Sequence, residues 1–368
     1  MSNPWDERVR RMLGPGLAHG GDAAAKTPSL EPQGPESALP GRRIDSASGS
    51  VRIIEARYDT AWPYSPRATG ELLAASAVSG AAWLKDPRLA GFNRESAVFL
   101  DVEATGLFQD ANNVAFLVGL AWFQDGEIRV EQLFMDSPED EPALLERLLW
   151  HLDGRQYLVS FNGKSYDKTV LESRFVLNRL MDSPTAHLRL WPHLDLLHLA
   201  RRIYGGIFPD CKLGTMERRA LNFDRGDDVP GALVPQYYFE WLLRGTTAPV
   251  LDVIRHNLVD VLTLVHLADH LLTMVDPLHP NADPLIAGNI GSMLLSCGFK
   301  AEAIANLKKA LPALEGDALV KMALKLEKAM RACKVPKAEQ LAIWDYVGAR
   351  LPEHPSVQIK ASRYRPLQ

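Results

Sequence analysis

Residues 96–103 form a nearly unbroken apolar run that ends in two acids two positions apart, Asp101 and Glu103. An apolar run of this length without alternation belongs to a strand covered on both faces, in the interior of a sheet. Side chains two apart on a strand share a face, so Asp101 and Glu103 project side by side from buried surroundings. Carboxylates held that way repel each other. A divalent cation such as Mg²⁺ or Mn²⁺ relieves the repulsion, because these ions take oxygen ligands. The alternative is a strand end carrying two solvated acids.

The flanking pattern extends the sheet. Two further strands are expected at 114–123 and 127–134, separated by Gln124-Asp125-Gly126, which carries a hairpin turn signal. Leucines at helical spacing follow over 138–152, then a short strand at 157–161 and helices over 165–180, 195–204, 213–221, 236–244 and 250–274. Residues 223–235, rich in Asp and Gly, read as a loop. Strands first and alternating helix and strand afterwards predict an α/β fold, a mixed sheet flanked by helices.

Four regions are expected along the chain. Residues 1–50 mix Gly, Pro, Ser and Ala with charges and read as a flexible tail. Residues 51–95 form a lead-in, with a short strand at 51–54 and a small-residue helix at 71–84. The α/β domain spans 96–275, and residues 280–368 carry only short amphipathic helices. There, the segment from Cys297 to Ile304 recurs loosely 36 positions on, from Cys333. That period suggests tetratricopeptide-like helix pairs, with a plain helical extension as the alternative.

Bulk properties exclude some classes. No apolar run approaches the ~20 residues of a membrane span, and the early arginines have no apolar segment behind them, so a cytoplasmic protein without membrane association is expected. The net charge of -4 argues against a passive polyanion binder more than against an enzyme, whose clustered carboxylates lower the count. Three scattered cysteines make no disulfide framework.

Two other segments could join the acids. Asn162-Gly163 turns the chain after the strand at 157–161 and places Asp167 in the first turn of the next helix. There it is either an acid favoured by the helix dipole or a third ligand. His256 and Asp260 stand four apart on one helix face, either as a local polar pair or as parts of one site. Asp195 reads as a helix cap or as a support for the site. Arg201, Arg202, Lys212, Arg218 and Arg219, interleaved with Trp191, Tyr204, Tyr237 and Tyr238, could hold phosphates and stack bases, or form a solvated basic face over core aromatics.

In this order and spacing the three acidic segments resemble the DEDD family of 3′ to 5′ exonucleases, of ribonuclease H-like fold. The resemblance covers residues 97–272, and the Asp101-to-Leu107 motif is its most specific part. It implies metal ligands Asp101, Glu103, Asp167 and Asp260, two Mg²⁺ or Mn²⁺ ions about 4 Å apart, and release of 5′-monophosphates. It implies a single-stranded 3′ end of DNA or RNA as substrate, received by Thr105, Gly106 and Leu107, with Asn162 and Lys164 beside them. Asn162-Gly163, the stretch from His193 to Leu197 and the segment from Cys211 to Glu217 resemble, more closely, a bacterial branch with a helical tail. The family has a Tyr four residues before its last Asp, or a His five before; here His256 holds the Tyr position and Arg255 the His position. His256 is therefore the candidate to orient or deprotonate the attacking water. The same metal set would also serve a structure-selective endonuclease. A third possibility is a nucleic-acid-binding module recruited to a protein partner through the helical tail.

Overall fold

The computed structural model describes residues 39–59, 86–89, 91–106, 113–226, 228–275 and 283–364. Residues 1–38, the expected helix at 71–84 and Leu107 lie outside the described residues. Among the described residues, seven strands form one sheet: β1 (Arg42–Ser46), β2 (Gly49–Asp59), β3 (Ala97–Ala104), β4 (Ala115–Gln124), β5 (Glu127–Phe134), β6 (Tyr157–Ser160) and β7 (His193–Asp195). Their spatial order is β1-β2-β5-β4-β3-β6-β7. Strands β1 to β5 pair antiparallel, and β6 and β7 add in parallel to β3. The apolar run thus becomes β3, an interior strand with Ala97, Val98, Phe99 and Leu100 all buried.

Residues 42–50 correct the sequence reading. Their composition predicts tail, yet β1 and the start of β2 form a hairpin on the sheet edge. Arg52, on β2, ties that edge down through paired contacts to Asp136 at 2.9 and 3.0 Å. The β1 side chains are mostly exposed, so no apolar period announces the strand. Strand β7 was also missed; three residues are too few to show a period.

Helices cover both faces. Val98, Leu100 and Val102 of β3 face a core shared with α1 (Glu141–Leu152), α2 (Asp167–Leu177) and α5 (Val234–Arg244). Ala97 and Phe99 face the other layer, where α3 (Leu196–Tyr204), α4 (Leu213–Ala220) and α6 (Thr247–Met274) pack. By the period of two, Asp101 and Glu103 continue the row of Ala97 and Phe99 and face that layer too. Helix α6 has 28 residues, about 42 Å of length, enough to run from the acidic end of β3 across the sheet and beyond.

The second half of α6 is buried nearly all round, from Asn257 to Ala268 and at Leu271 and Leu272. A helix of that kind needs cover on every side. The C-terminal region supplies part of it with α7 (Pro284–Ser296), α8 (Lys300–Ala310), α9 (Gly316–Ala332), α10 (Lys337–Arg350) and α11 (Pro355–Tyr364). Ile290, Met293 and Leu294 of α7 join the same core as Ile203 of α3 and Leu267 of α6. Asn289 also donates to the backbone carbonyls of Ile203 and Gly205 at 3.0 and 3.1 Å. The tail is therefore continuous with the domain's core. No helix among the described residues is long and apolar enough to cross a membrane.

Candidate active site

The acids expected from the sequence meet where β3, the turn after β6 and α6 come together. Asp101 and Glu103 leave β3 toward α6. Asp167 is the first residue of α2, delivered by the turn that follows β6. Asp260 lies on the α6 face opposite, one turn after His256. Oxygens of Glu103 and Asp260 and a ring nitrogen of His256 all lie within 4.8 Å of one another. His256 Nε2 is 3.3 Å from Asp260 Oδ2 and 3.8 Å from Glu103 Oε1.

Electrostatics ties the remaining acids into the same cluster. Burial raises the Asp101 carboxyl to about 7, with help from the charge of Asp260. Burial and then Asp101 raise Glu103 to about 8. Asp167 is raised well above the carboxylate range by burial and then by Asp101, Glu103, Asp195 and Asp260. Each acid is held where its charge is unwelcome, and the others make it more so.

His256 answers these charges. Burial alone lowers its pKa, but Asp260, Asp228 and Glu103 outweigh burial and raise it to about 10. Its Nδ1 donates to Asp228 at 2.8 Å, which leaves Nε2 toward the acids. In this setting it is an imidazolium at neutral pH, a donor rather than a base. Sequence spacing put His256 beside Asp260 and could not show that Asp228, 28 residues upstream, fixes the ring.

Other neighbours also escape a sequence reading. Asn257, fully buried, donates to Asp101 Oδ2 at 2.9 Å and accepts from Gln132 Nε2 at 2.9 Å. Arg225 reaches out of the Asp- and Gly-rich loop between α4 and α5 to Asp260 at 2.5 Å, Asp228 at 2.8 Å and Glu217. The only signal for it is an arginine within an otherwise acidic loop.

Asp195 joins both roles considered for it. Its carboxylate caps α3 through the Leu197 N–H at 3.1 Å and accepts the backbone N–H groups of Asn162 and Lys164 at 2.8 and 3.1 Å. Asp195 thus clamps the turn that carries Asp167 into place. Lys164 is half-buried, and burial lowers its pKa. Thr105 and Gly106 follow β3, and their backbone N–H groups are taken by Val114 O at 2.9 Å and Asn113 Oδ1 at 2.8 Å. Tyr166, next to Asp167, donates to the Gly106 carbonyl, which ties this end of β3 to the start of α2.

The basic cluster survives in part. Arg201, Lys212, Arg218 and Arg219 are exposed. Three of the four aromatics grouped with them are withdrawn from solvent: Trp191, Tyr204 and Tyr238 are buried, Tyr238 stacks on Phe116 in the core, and Tyr237 is half-buried.

The profile of the RNase_H superfamily matches residues 98–272, from β3 to the end of α6, and the mixed seven-stranded sheet flanked by helices is consistent with a ribonuclease H-like α/β fold. The chain is similar to the uncharacterized protein YprB of Bacillus subtilis (strain 168), 34% identical over 183 residues, which is 49% of this chain and 43% of that protein. It thus spans less than half of that relative's length. Among solved structures, the family B DNA polymerase of the hyperthermophilic archaeon Pyrobaculum calidifontis is a distant likeness, at 16% identity and a TM-score of 0.37, over 59% of this chain and 28% of that one.

Proposed function

We propose that this chain is a divalent-cation-dependent nuclease that removes nucleotides from single-stranded 3′ ends of DNA or RNA and releases 5′-monophosphates. The observation that carries this reading is the convergence of Asp101, Glu103, Asp167 and Asp260 from three elements into one cluster, in which burial and the neighbouring acids raise Asp101, Glu103 and Asp167. A ribonuclease H-like fold supplies the setting. The polarity and the single-stranded substrate rest on the resemblance of the motif order to DEDD exonucleases.

The donor set fits hard cations. It is all oxygen, acidic and partly desolvated, which suits Mg²⁺ or Mn²⁺, and Asp101, Glu103, Asp167 and Asp260 would hold two such ions. When bound, the ions supply charge neutralisation at the scissile phosphate and an acidified water as nucleophile.

The chain's own groups do the positioning. Asn257 holds one oxygen of Asp101 and leaves the other available. Asp195 fixes the turn at Asn162 and Lys164, so Asp167 starts α2 in a set place, and the Lys164 side chain is the group proposed to meet a substrate phosphate. With Glu103 and Asp260 neutralised, two of the charges that raise His256 are gone and burial pulls the other way, while Asp228 alone still favours the protonated ring and keeps its Nδ1–H. Nε2 is then the atom that orients the attacking water or accepts its proton. Thr105 and Gly106 shape the floor at the end of β3. The exposed arginines of α3 and α4 are the groups proposed to meet phosphates further along the strand. The helical tail, with tetratricopeptide-like pairs, is the element proposed to recruit a protein partner.

The test is digestion of 5′-labelled single-stranded DNA and RNA, and of a single-stranded circle, by the pure chain with Mn²⁺. Stepwise shortening of the linear strands with an intact circle is expected. Cleavage of the circle would make the protein an endonuclease, and binding without cleavage would make it a non-catalytic module.

A further inference from the structure

We propose that Arg225 is a positioning residue of this site: its guanidinium holds Asp260 so that one defined oxygen faces the other acids. The proposal rests on the reading of the acidic cluster as a metal centre.

Arg225 is the hub of a buried charge network that joins the loop after α4 to α6. Its Nη2 donates to Asp260 Oδ1 at 2.5 Å and to Glu217 Oε1, its Nε to Glu217 Oε2 at 2.8 Å, and its Nη1 to Asp228 Oδ2 at 2.8 Å. Glu217 is anchored in turn by the Thr263 hydroxyl at 2.6 Å, and Thr263 stands one turn from Asp260 on α6. The guanidinium is therefore gripped from both sides of Asp260. With Oδ1 committed to Arg225, Oδ2 is the oxygen that faces His256 Nε2 at 3.3 Å, on the side of Glu103. The same loop sends Asp228 to His256, so one loop orients two members of the cluster.

Energetics favours positioning over stability as the role of this network. Side-chain exposure is 11% for Arg225, 2% for Glu217 and 12% for Asp260, so three charged groups have given up most of their water. Buried ion networks of this kind are often replaceable by apolar side chains without loss of stability, because desolvation offsets the attraction. A network kept at a cluster of like charges gains more from what it orients. Without Arg225, Glu217 and Asp260 would face each other as two buried acids; burial and Asp260 already push the Glu217 carboxyl up. The planar fork also matters. Arginine can span two carboxylates with fixed angles, whereas a lysine ammonium is a point charge that leaves Asp260 free to turn.

Arg225→Lys keeps the charge and removes the fork, which separates geometry from electrostatics. The full-length chain is titrated with Mn²⁺ in the absence of nucleic acid, with binding read by electron paramagnetic resonance, and its kcat and KM are measured on a single-stranded oligonucleotide. We expect Arg225→Lys to fold, to bind Mn²⁺ about 10- to 100-fold more weakly, and to lose kcat with little change in KM. Wild-type Mn²⁺ affinity in a folded Arg225→Lys chain overturns the proposal. Should that variant fail to fold, Glu217→Gln/Arg225→Gln removes opposite charges together, and the same comparison applies: weakened Mn²⁺ binding supports the role and unchanged binding overturns it. A wild-type chain that binds no Mn²⁺ overturns the metal-centre reading and this proposal with it, and the wild-type titration alone reveals that case.

Discussion

Gly119→Ala should damage the active site from inside the sheet. Gly119 on β4 sits in register between Asp101 on β3 and Gln132 on β5, so the three positions form a row facing α6. Asn257 lies across that row, accepting from Gln132 and donating to Asp101, each at 2.9 Å. It can do so only because the middle position has no side chain. A Cβ on Gly119 would collide with Asn257 Oδ1 and come within 2.5 Å of Val261 Cγ2. Both neighbours belong to a helix packed on the sheet, and Asn257 is fully buried, so neither can swing into solvent. Overpacking of this sort costs about 1–3 kcal/mol. Losing the hydrogen bond to the Asp101 carboxyl adds about 1.5–3 kcal/mol, and the lower chain entropy of alanine returns about 0.4–1 kcal/mol. The net is a destabilisation of about 2–5 kcal/mol, or roughly 4–20 °C in the melting midpoint at about 2–4 °C per kcal/mol. Thermal denaturation followed by circular dichroism measures it, with Gly231→Ala as the control. Nothing lies within 4 Å of a Cβ at Gly231, and that variant should stay within about 0.5 kcal/mol of wild type. Gly119→Ala should also bind Mn²⁺ more weakly. A variant that melts with wild type and binds Mn²⁺ equally well would refute the role given to Asn257.

Other outcomes follow from the charges and the packing. Asp101 and Glu103 have folded pKa values of about 7 and about 8, above their unfolded values, so the stability they contribute is complete below about pH 4 and declines until about pH 8. In EDTA, Asp101→Asn/Glu103→Gln should therefore gain on wild type as pH rises across that window, and parallel denaturation midpoints from pH 5 to 8 would contradict the cluster. His256 should titrate near pH 10 in EDTA by NMR and lower in Asp228→Asn; a wild-type midpoint near 6.5 would break the pairing. A chain ending at His279 loses the helices that cover α3 and α6, so it should melt well below the full chain while keeping its acids. An unchanged midpoint would show that the tail is not part of the core.

The sheet was readable wherever burial imposes a period. Residues 96–103, 114–123 and 127–134 matched β3, β4 and β5 closely because each strand carries a row of core contacts. The first hairpin was not readable, because β1 exposes most of its side chains and mixes into a segment of loop-like composition. In the site, Asp101 with Glu103 and His256 with Asp260 were legible because the pairs share one strand and one helix, where spacing sets direction. Asn257, Arg225, Asp228 and Glu217 act across distances in sequence that no period records: Asn257 meets Asp101 from 156 residues away and Arg225 meets Asp260 from 35. The basic cluster was legible in its exposed charges but not in its aromatics. Its aromatics lie near the arginines in sequence, but helix geometry turns Tyr204 into the core while Arg201 faces solvent.

In the proposed function, the acids on β3, α2 and α6 form one metal-dependent hydrolytic centre. Cleavage of a 5′-labelled single-stranded oligonucleotide by wild type and by Asp101→Asn, each with Mn²⁺ and with EDTA, tests it most directly. The substitution keeps the shape of the side chain, and the amide can still meet Asn257, but it removes the charge that a cation needs. Cleavage should appear only for wild type with Mn²⁺, with the variant reduced by about 10²-fold or more. Equal cleavage in EDTA, or by folded Asp101→Asn, would contradict the account.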